Sequence, residues 1–590
     1  MTVNDKINAL RIEMKKSNCQ AVIIPSTDPH QSEYTANKWK DREWISSFTG
    51  SAGTVIITQS LAGLWTDSRY FLQAEKELTG TEIQLHKLKN QFAPEHLDWL
   101  SGQLQDGDTI CIDGEDFSKS QYDQLKKYFD PKNIEIKIDR DLVSMIWHDR
   151  PLLGHNPIIE HEEKYTGKNR NIKIIELQKQ LVGNGLDGFL FSALDDIAWL
   201  LNLRGSDVTY NPVFTAYLFV NSKQTILFTD TKKLDVTLHE VLKKSNITIS
   251  EYEEIISFVS QLPEEFTLGV EPVSLNIKIY KMINAKIHHQ DSPVRIAKGQ
   301  KTESEILWTK EAMIKDGVAL SKAFKWLEDN IEKSKISEYD FRNKIIEYRK
   351  EDGEYVGESF GSIIGYKGNG AIVHYNPSQE SDIIGKDGVL LVDCGAQYKC
   401  GTTDITRTIA LSSQNQEVKN HFTLVLKGFI SLATAHFPIG TTGAQLDTLA
   451  RQFLWSQGLN YLHGTGHGVG FFLNVHEGPH GFAAVSTERG RTPLLEGMII
   501  SNEPGYYLEG QYGIRIENLI AVCESKVSGF LKFENLTLFP IDINLVDEKM
   551  LDSKEKSWIN HYHNDVYNAI SPHIDEAHRE WFRIKCKLLN

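Results

Sequence analysis

The sequence has few cysteines for its length and no long apolar run. Its six cysteines among 590 residues are scattered, and none forms a C-x-x-C pair. This usage indicates a reduced, intracellular protein rather than a disulfide framework. No stretch of about 18 uninterrupted apolar residues occurs, so no membrane span is expected. The first residues contain no apolar core of a secretory signal, and a cytoplasmic location is therefore expected.

Positive charge is also in deficit. The chain has 64 Lys and Arg residues against 79 Asp and Glu residues, a formal net charge of −15 at pH 7. An acidic chain is repelled by phosphate backbones and anionic lipids, so neither nucleic acid nor a membrane is expected as a partner. The charge is compatible with a cationic ligand, such as a peptide with a free amino terminus.

The chain is long enough for about two to four domains. Apolar strand patterns alternate with helical spacing in the first part, which is typical of α/β structure. The same succession of predicted strands and a helix occurs twice, at 21–67 and at 188–230, and each copy ends in a strand that closes with Thr-Asp. This repeat predicts two α/β domains of similar fold, covering 1–157 and 158–302.

A third and largest domain is predicted over residues 303–590. It opens with helical spacing from Glu303 to about Lys333. From about residue 541 the chain is polar and helical in pattern, and we expect this extension to serve packing or subunit contact.

The third domain carries four carboxylates in apolar or glycine-rich surroundings. Asp393 closes an apolar run, and Asp404 follows eleven residues later on what is predicted to be the returning strand. Glu503 lies between an apolar run and Pro-Gly, and Glu517 lies in a single strand predicted over 513–522. Each acid alone could be a residue at a hairpin end or a surface turn. Together they predict a site to which several strands deliver carboxylates.

A histidine adds to this set. His467 lies in the glycine-dense segment Gly464–Gly470. Like charges cannot all stay ionised in a dry interior unless cations lie among them. One imidazole among carboxylates favours Mn, Co, Fe or Zn over Ca. Five ligands exceed the about three protein ligands of one catalytic zinc and suit a two-metal centre.

Neighbouring residues have predicted roles as well. Arg515 precedes Glu517 by two residues and is predicted to contact the acids. Arg407 is three residues from Asp404, which predicts the opposite face and a surface ion pair. Cys394, next to Asp393 on the strand, is expected to face away from the metals and to pack.

These residues resemble a known family. The order Asp, Asp eleven residues on, His, Glu and Glu is similar to the pita-bread metallopeptidases, which include methionine aminopeptidase, prolidase, aminopeptidase P and creatinase. The segments Gly464–Gly470, His476–Pro479 and Glu503–Tyr507 look like the proline-peptide branch. Trp65–Phe71 and the two preceding domains narrow the resemblance to long, three-domain Xaa-Pro aminopeptidases.

The resemblance implies an α/β (α+β) fold: two creatinase-like N-terminal α/β domains followed by a pita-bread catalytic domain. It also implies two divalent metal ions, usually Mn²⁺, with Zn²⁺ or Co²⁺ as alternatives, and a homodimer formed through the catalytic domain. The implied metal ligands are Asp393, Asp404, His467, Glu503 and Glu517.

Further roles follow for residues around those ligands. The resemblance implies that His374 and His476 contact substrate and steady the tetrahedral intermediate, that His467 also faces the substrate, and that Arg69 reaches the site from the first domain. Glu503 is the best candidate for the base that takes the proton of the attacking water, because a carboxylate ligand lies within reach of it.

The predicted function is a metal-dependent aminopeptidase that cleaves the bond between an N-terminal residue and a following proline, by attack of a metal-bridging hydroxide. The preference for proline depends on the resemblance alone. The alternatives are a prolidase-type Xaa-Pro dipeptidase and a non-catalytic peptide-binding protein on the same fold. A calcium-stabilised structural protein is disfavoured because His467 is a poor calcium ligand.

Overall fold

The computed structural model describes residues 1–89 and 93–589. The chain divides into two compact units, one of Met1–His161 with Lys168–Val294 and one of Glu162–Gly167 with Arg295–Asn590. Within the described residues, no helix has both the length and the apolar character needed to span a membrane.

The first unit contains two six-stranded sheets with the same topology. In spatial order, the first sheet consists of Gln84–Lys87, Ala62–Thr66, Thr54–Thr58, Ala21–Ile24, Thr109–Cys111 and Glu135–Lys137. The second consists of Ile247–Ser250, Thr225–Thr229, Ala216–Asn221, Gly188–Phe191, Thr267–Val270 and Lys286–His289. In both sheets the second, third and fourth strands pair antiparallel with one another. The first, fifth and sixth strands each pair parallel with the neighbouring strand. The predicted internal repeat is therefore confirmed.

Helices cover these two sheets. Val3–Lys16 shows why they form: the side chain of Thr2 accepts from the backbone of Asp5 in a capping box, and Ile7, Leu10 and Met14 form the buried face. The other α-helices of this unit are Asp41–Ser46, Phe71–Glu77, Glu95–Gln103, Lys119–Phe129, Arg170–Gly183, Leu194–Leu201, Val236–Lys244, Glu254–Ser260 and Ile277–Met282. A short strand pair, Ile159–Glu160 with Leu203–Arg204, lies in the same unit.

The second unit combines long helices with several antiparallel sheets. Its α-helices are Glu163–Thr166, Arg295–Gly299, Glu303–Asn330, Glu338–Arg349, Gln416–Ala433, Gly443–Trp455, Glu488–Arg491, Ser553–Ile570 and Glu576–Lys585. Its largest sheet contains, in order, His436–Pro438, Phe530–Asn535, Asn518–Glu524, Ile499–Asn502, Gly466–Gly468 and Glu477–Phe482. Smaller sheets are Tyr355–Glu358 with Ala396–Tyr398 and Gly401–Thr402, Ile363–Tyr366 with Val389–Cys394 and Ile405–Ala410, and the pair Gly505–Leu508 with Tyr512–Arg515.

The helix Glu303–Asn330 begins at a capping box between Thr302 and Glu305 and buries Met313, Leu320 and Phe324. The last two of these side chains belong to the main core of the unit. The predicted helix over this segment is confirmed, although it ends three residues before Lys333.

The C-terminal segment is part of this core. The helices Ser553–Ile570 and Glu576–Lys585 bury Ile559, Val566 and Phe582 in the same cluster as the strands that carry the acids. Packing, one of the two roles expected for this segment, is confirmed. The predicted domain limits 1–157, 158–302 and 303–590 stay a prediction.

Candidate metal centre

Two antiparallel strands position the first pair of acids. Val389–Cys394 pairs with Ile405–Ala410, so that Asp393 lies opposite Thr406. Asp404 lies directly before the second strand, and both carboxylates are buried. The apolar residues of the first strand lie in the core and hold it in place. The predicted convergence of Asp393 and Asp404 from neighbouring strands matches this register.

His467 lies in the short strand Gly466–Gly468. Its Nδ1 is 3.0 Å from the carbonyl oxygen of Gly468, which can only accept a hydrogen bond. The proton therefore lies on Nδ1, and Nε2 keeps its lone pair for a metal. Nε2 is 3.5 Å from both Asp404 Oδ2 and Glu503 Oε1. A Cβ on Gly466 would lie 1.8 Å from the Ser501 carbonyl oxygen, which explains a glycine at that position.

Backbone hydrogen bonds hold the two glutamates. The Glu503 N–H donates to Thr465 O, and Glu503 Oε1 accepts from Ser501 Oγ at 3.1 Å. The Glu517 N–H donates to Thr406 O, and Glu517 Oε2 accepts from Thr406 Oγ1 at 2.8 Å. The prediction of one strand over 513–522 is wrong, because Glu517 lies in a break between Tyr512–Arg515 and Asn518–Glu524. This break lets the Glu517 N–H bond Thr406 instead of a neighbour in the sheet.

Three of the predicted ligands converge closely. One ligand atom each of Asp404, His467 and Glu517 lie within 4.8 Å of one another, and all three residues are buried. Burial and neighbouring carboxylates raise the pKa values of Asp404 and Glu517 well above their usual range. Burial, and to a smaller extent Asp393, raises the pKa of Glu503 to about 7, although Arg515 opposes the shift.

Where the structure describes the chain, the acids have one basic hydrogen-bonding partner, Arg515. Arg515 Nη2 donates to Asp393 Oδ2, which confirms the predicted contact between Arg515 and the acids. Asp393 Oδ1, by contrast, is buried and has no hydrogen-bond partner. An orphaned carboxylate oxygen beside mutually repelling acids and an imidazole lone pair fits the donor set of Mn, Co, Fe or Zn. The residues present therefore fit divalent cations.

The structure relates His476 to this centre but leaves two other predicted residues untested. The His476 and His467 rings lie edge to face, with centroids 4.3 Å apart. His374 is half-buried after the 3₁₀ helix Lys367–Ala371. Arg69, in the first unit, donates to both carboxylate oxygens of Asp67 at 2.8 Å. The substrate contacts of His374 and Arg69 stay predictions.

A hydrogen-bonded chain behind Asp393 was not predicted. Arg515 Nη1 donates to Tyr507 Oη at 2.7 Å, and Tyr507 Oη lies 2.8 Å from His463 Nε2. His463 Nδ1 lies 2.7 Å from the Gly464 carbonyl oxygen and must donate to it, so Nε2 accepts the tyrosine proton. Burial raises the pKa of Tyr507 to about 12. His463 lies directly before the glycine-dense segment and Tyr507 ends the family-like segment Glu503–Tyr507, but neither pattern predicted the contact between them.

The surface ion pair predicted for Arg407 is wrong. Its guanidinium is buried and donates to the carbonyl oxygens of Glu517 and Phe539 and to Tyr562 Oη, all within 2.8 Å. Arg407 thus connects the backbone of Glu517 to the C-terminal helix Ser553–Ile570. Cys394 packs in the main core, as predicted.

Comparison with known proteins agrees with this geometry. Residues 308–524 match Metallopeptidase family M24, and residues 529–589 match the C-terminal region of peptidase M24. Residues 6–140 and 149–305 each match a Creatinase/Prolidase N-terminal domain.

Individual relatives match along the chain. It is 40% identical to a probable Xaa-Pro aminopeptidase P of Laccaria bicolor over 100% of this chain and 94% of the relative. The X-prolyl aminopeptidase of Caenorhabditis elegans, described as a cytosolic enzyme with a di-nuclear active site, superposes with a TM-score of 0.94 at 34% identity, covering 100% of both chains. The Pyrococcus horikoshii prolidase reaches a TM-score of 0.50 at 25% identity, covering 63% of this chain and 99% of its own.

The fold and the acids with His467 define the class of protein as an M24 metallopeptidase. Within this class, the chain belongs to the Xaa-Pro aminopeptidase P family. The resemblance, the fold class of two creatinase-like domains followed by a pita-bread domain, and the prediction of a metallopeptidase are confirmed.

Proposed function

We propose that the chain removes an N-terminal residue that precedes proline from peptides. The observation that carries the proposal is the convergence of Asp404, His467 and Glu517 in a buried, carboxylate-rich site. Similarity over the whole chain to relatives named Xaa-Pro aminopeptidase supports the substrate class.

Asp393, Asp404, His467, Glu503 and Glu517 would hold two divalent cations, with Mn²⁺ proposed and Zn²⁺ or Co²⁺ as alternatives. Such cations lower the pKa of a bound water and polarise the carbonyl group of the scissile bond. The di-nuclear active site of the similar Caenorhabditis elegans enzyme supports the number of cations.

Glu503 would act as the general base. Ser501 Oγ donates to its Oε1, which fixes the carboxylate and leaves Oε2 as the oxygen proposed to take the proton of the attacking water.

His476 would donate a hydrogen bond to the oxyanion of the tetrahedral intermediate. Its ring lies against that of His467, and this contact supports a position at the edge of the centre. We propose the same stabilising role for His374 and a substrate contact for Arg69. We also propose that His467 faces the substrate.

A prolidase-type dipeptidase is the second candidate. The proposed carboxylate ligands lie in the second unit. These carboxylates alone do not distinguish a dipeptide substrate from a longer peptide. Similarity to the Pyrococcus horikoshii prolidase covers only 63% of this chain, whereas similarity to the Caenorhabditis elegans aminopeptidase covers all of it. This difference favours the aminopeptidase.

The decisive experiment is the hydrolysis of Arg-Pro-Pro, Arg-Pro and Arg-Ala-Ala by metal-stripped protein with and without Mn²⁺. We expect Mn²⁺-dependent release of arginine from Arg-Pro-Pro only. Glu503→Gln should lower kcat by about 100-fold or more, since it removes the proposed base. Glu534→Gln, which changes an exposed acid paired with Lys310, is the matched control and should retain activity.

The other results assign the protein differently. Cleavage of Arg-Pro alone would favour the dipeptidase. No cleavage of any peptide by protein that holds two Mn²⁺ would reject catalysis and favour a peptide-binding protein.

We also propose a cytoplasmic location and a homodimer. The description of the similar Caenorhabditis elegans protein as cytosolic supports the first; the dimer depends on the family resemblance alone. Light scattering after gel filtration would show twice the chain mass of 67.1 kDa for a dimer.

A further inference from the structure

A buried ion pair lies next to the strands that carry Asp393 and Asp404. Asp316 lies on the helix Glu303–Asn330, and Arg349 is the last residue of Glu338–Arg349. Arg349 Nε donates to Asp316 Oδ1 at 2.7 Å, and Nη2 donates to Oδ2 at 3.1 Å. The side chain of Asp316 is 4% exposed and that of Arg349 is 0% exposed. This two-fold contact fixes the orientation of both groups.

The arginine of this pair contacts the backbone that directly follows Asp393. Arg349 Nη1 donates to the Gly395 carbonyl oxygen at 2.9 Å, and Nη2 lies 3.3 Å from Cys394 Sγ. Because Cys394 and Gly395 are the next two residues of the chain, these contacts restrain the end of the strand on which the Asp393 carboxylate is presented.

The aspartate of the pair contacts the residue directly before Asp404. Thr403 Oγ1 donates to Asp316 Oδ2 at 2.9 Å and accepts from the Ala396 N–H at 3.0 Å. The Thr403 carbonyl oxygen in turn accepts from Ser359 Oγ. Asp316 therefore holds the segment that carries Asp404 through the Thr403 hydroxyl. The same hydroxyl accepts a hydrogen bond from Ala396, in the strand that follows Asp393.

We propose that Asp316, Arg349 and Thr403 are positioning residues that set the separation of the Asp393 and Asp404 carboxylates, and thereby allow two cations to bind together. This inference depends on the two-cation centre of the proposed function. Adjacent cations in two-metal sites lie about 3.5–4 Å apart, so a small shift of one carboxylate segment relative to the other changes the fit of the second cation.

The chemistry of the pair explains the residue types. The planar fork of Arg349 donates to both oxygens of Asp316 and to Gly395 at the same time, which a lysine ammonium cannot do in one plane. Partners that orient ligand residues typically contribute about 10–100-fold to metal affinity. Among the hydrogen bonds of the described residues, none joins Asp316, Arg349 or Thr403 to a predicted ligand side chain, so we expect their effect on the cations to be transmitted through the backbone.

The sharpest test changes only the hydroxyl of Thr403. Thr403→Val keeps the shape of the side chain and the Asp316–Arg349 pair but removes the link to the Asp404 segment; Thr403→Ser restores the hydroxyl. Thr309→Val is the matched control, because Thr309 is also buried, on the helix of Asp316, and its hydroxyl bonds only Glu305 O of that helix.

Mn²⁺ binding to the full-length, metal-stripped protein would be followed by calorimetry and by electron paramagnetic resonance, which distinguishes a coupled Mn²⁺ pair from a single ion. We expect two ions in the wild type, Thr403→Ser and Thr309→Val. In Thr403→Val the second ion should bind about 10-fold or more weakly, and the spectrum at one equivalent should show less of the coupled pair. Arg349→Lys should have the same defect.

Wild-type affinity for both ions in Thr403→Val, or a single ion in the wild type, would overturn the inference. If Arg349→Lys fails to fold, Thr403→Val still decides, because its ion pair is intact. Failure of the proposed function gives a different result: a wild type that binds two ions and cleaves no proline peptide leaves the positioning role in place.

Discussion

The strand Val389–Cys394 separates two buried acidic environments that differ in charge balance. Successive residues on a strand point to opposite faces. On the face of Asp393 lie the four carboxylates of Asp393, Asp404, Glu503 and Glu517 and the guanidinium of Arg515, which donates to Asp393, so −4 + 1 leaves three negative charges when all are ionised. On the face of Cys394, Asp316 and Arg349 balance each other, −1 + 1 = 0.

The comparison shows how a buried acid that is paired within the chain differs from the acids that are proposed to bind metal. Asp316 has an arginine and two hydroxyl donors within its own chain. Asp393 keeps a buried oxygen without a partner, and Asp404 and Glu517 have pKa values raised by burial and by neighbouring carboxylates. The first environment is complete within the chain, whereas the second requires cations from outside it.

The largest expected effect on stability comes from breaking the balanced environment. Arg349→Met leaves Asp316 as a buried, unpaired charge and should lower the free energy of unfolding by about 3–5 kcal/mol. Added Mn²⁺ should not compensate for this loss. The loss is measured by calorimetric unfolding of the metal-free protein. The transition to follow is the one whose temperature Mn²⁺ raises in the wild type.

The double variant Asp316→Leu/Arg349→Met is the control for this first prediction, because it removes both charges and should be more stable than Arg349→Met. Wild-type stability of Arg349→Met would contradict the structural role of the pair.

A smaller effect on stability is expected when Mn²⁺ is added to the acids on the face of Asp393. A ligand at 100 times its dissociation constant stabilises the folded state by about 2.7 kcal/mol, so Mn²⁺ should raise the unfolding temperature of the wild type. Glu517→Gln removes a converging carboxylate and should respond less to Mn²⁺ than Glu534→Gln, the exposed control. Equal responses of the two variants to Mn²⁺ would show that Glu517 does not bind the cation.

A third effect, small for each pH unit, should come from protons, the other cations that the acids can take up. The pKa of Glu503 is raised from 4.5 to about 7, so between these values the folded, metal-free protein holds a proton that the unfolded chain has lost. Its contribution to stability is full below about pH 4.5 and is lost as pH rises through about 7. The slope is at most about 1.4 kcal/mol per pH unit for one proton.

Thermal unfolding of metal-free wild type and Glu503→Gln between pH 5 and 8 tests the sign of this dependence. The wild type should lose stability with rising pH more steeply than the variant, and saturating Mn²⁺ should reduce the slope. A wild-type curve that rises over this range while Glu503→Gln stays flat would refute the direction of the pKa shift.

Local patterns predicted much of the fold. The repeated strand order predicted two domains of one topology, and the two six-stranded sheets share it. The helix from Glu303 was visible from its spacing. The prediction of a single strand over 513–522 was wrong. The apolar alternation through Ile514 and Ile516 continues across the break, and the hydrogen bond that accompanies the break, from Glu517 to Thr406, joins residues distant in sequence.

The candidate site was predicted less evenly. Burial of Asp404, His467 and Glu517 could be inferred because each lies in an apolar or glycine-rich frame. The burial of Arg407 could not, because its partners belong to residues 518, 539 and 562, and nothing near Arg407 indicates them. The same applies to the contact of His463 with Tyr507, which joins residues 44 positions apart.

The sequence by itself therefore determined the types and order of the acids and His467, and the apolar strands and glycines that bring them inside. Tertiary structure decided which arginine pairs with which acid. Arg349 pairs with Asp316, and Arg407 bonds carbonyl groups instead. For Arg515 the sequence predicted a contact with the acids, and the structure shows that its partner is one oxygen of Asp393. The physical reason is that an ion pair depends on distance in space, and its two residues here lie 33 or 122 positions apart in the chain.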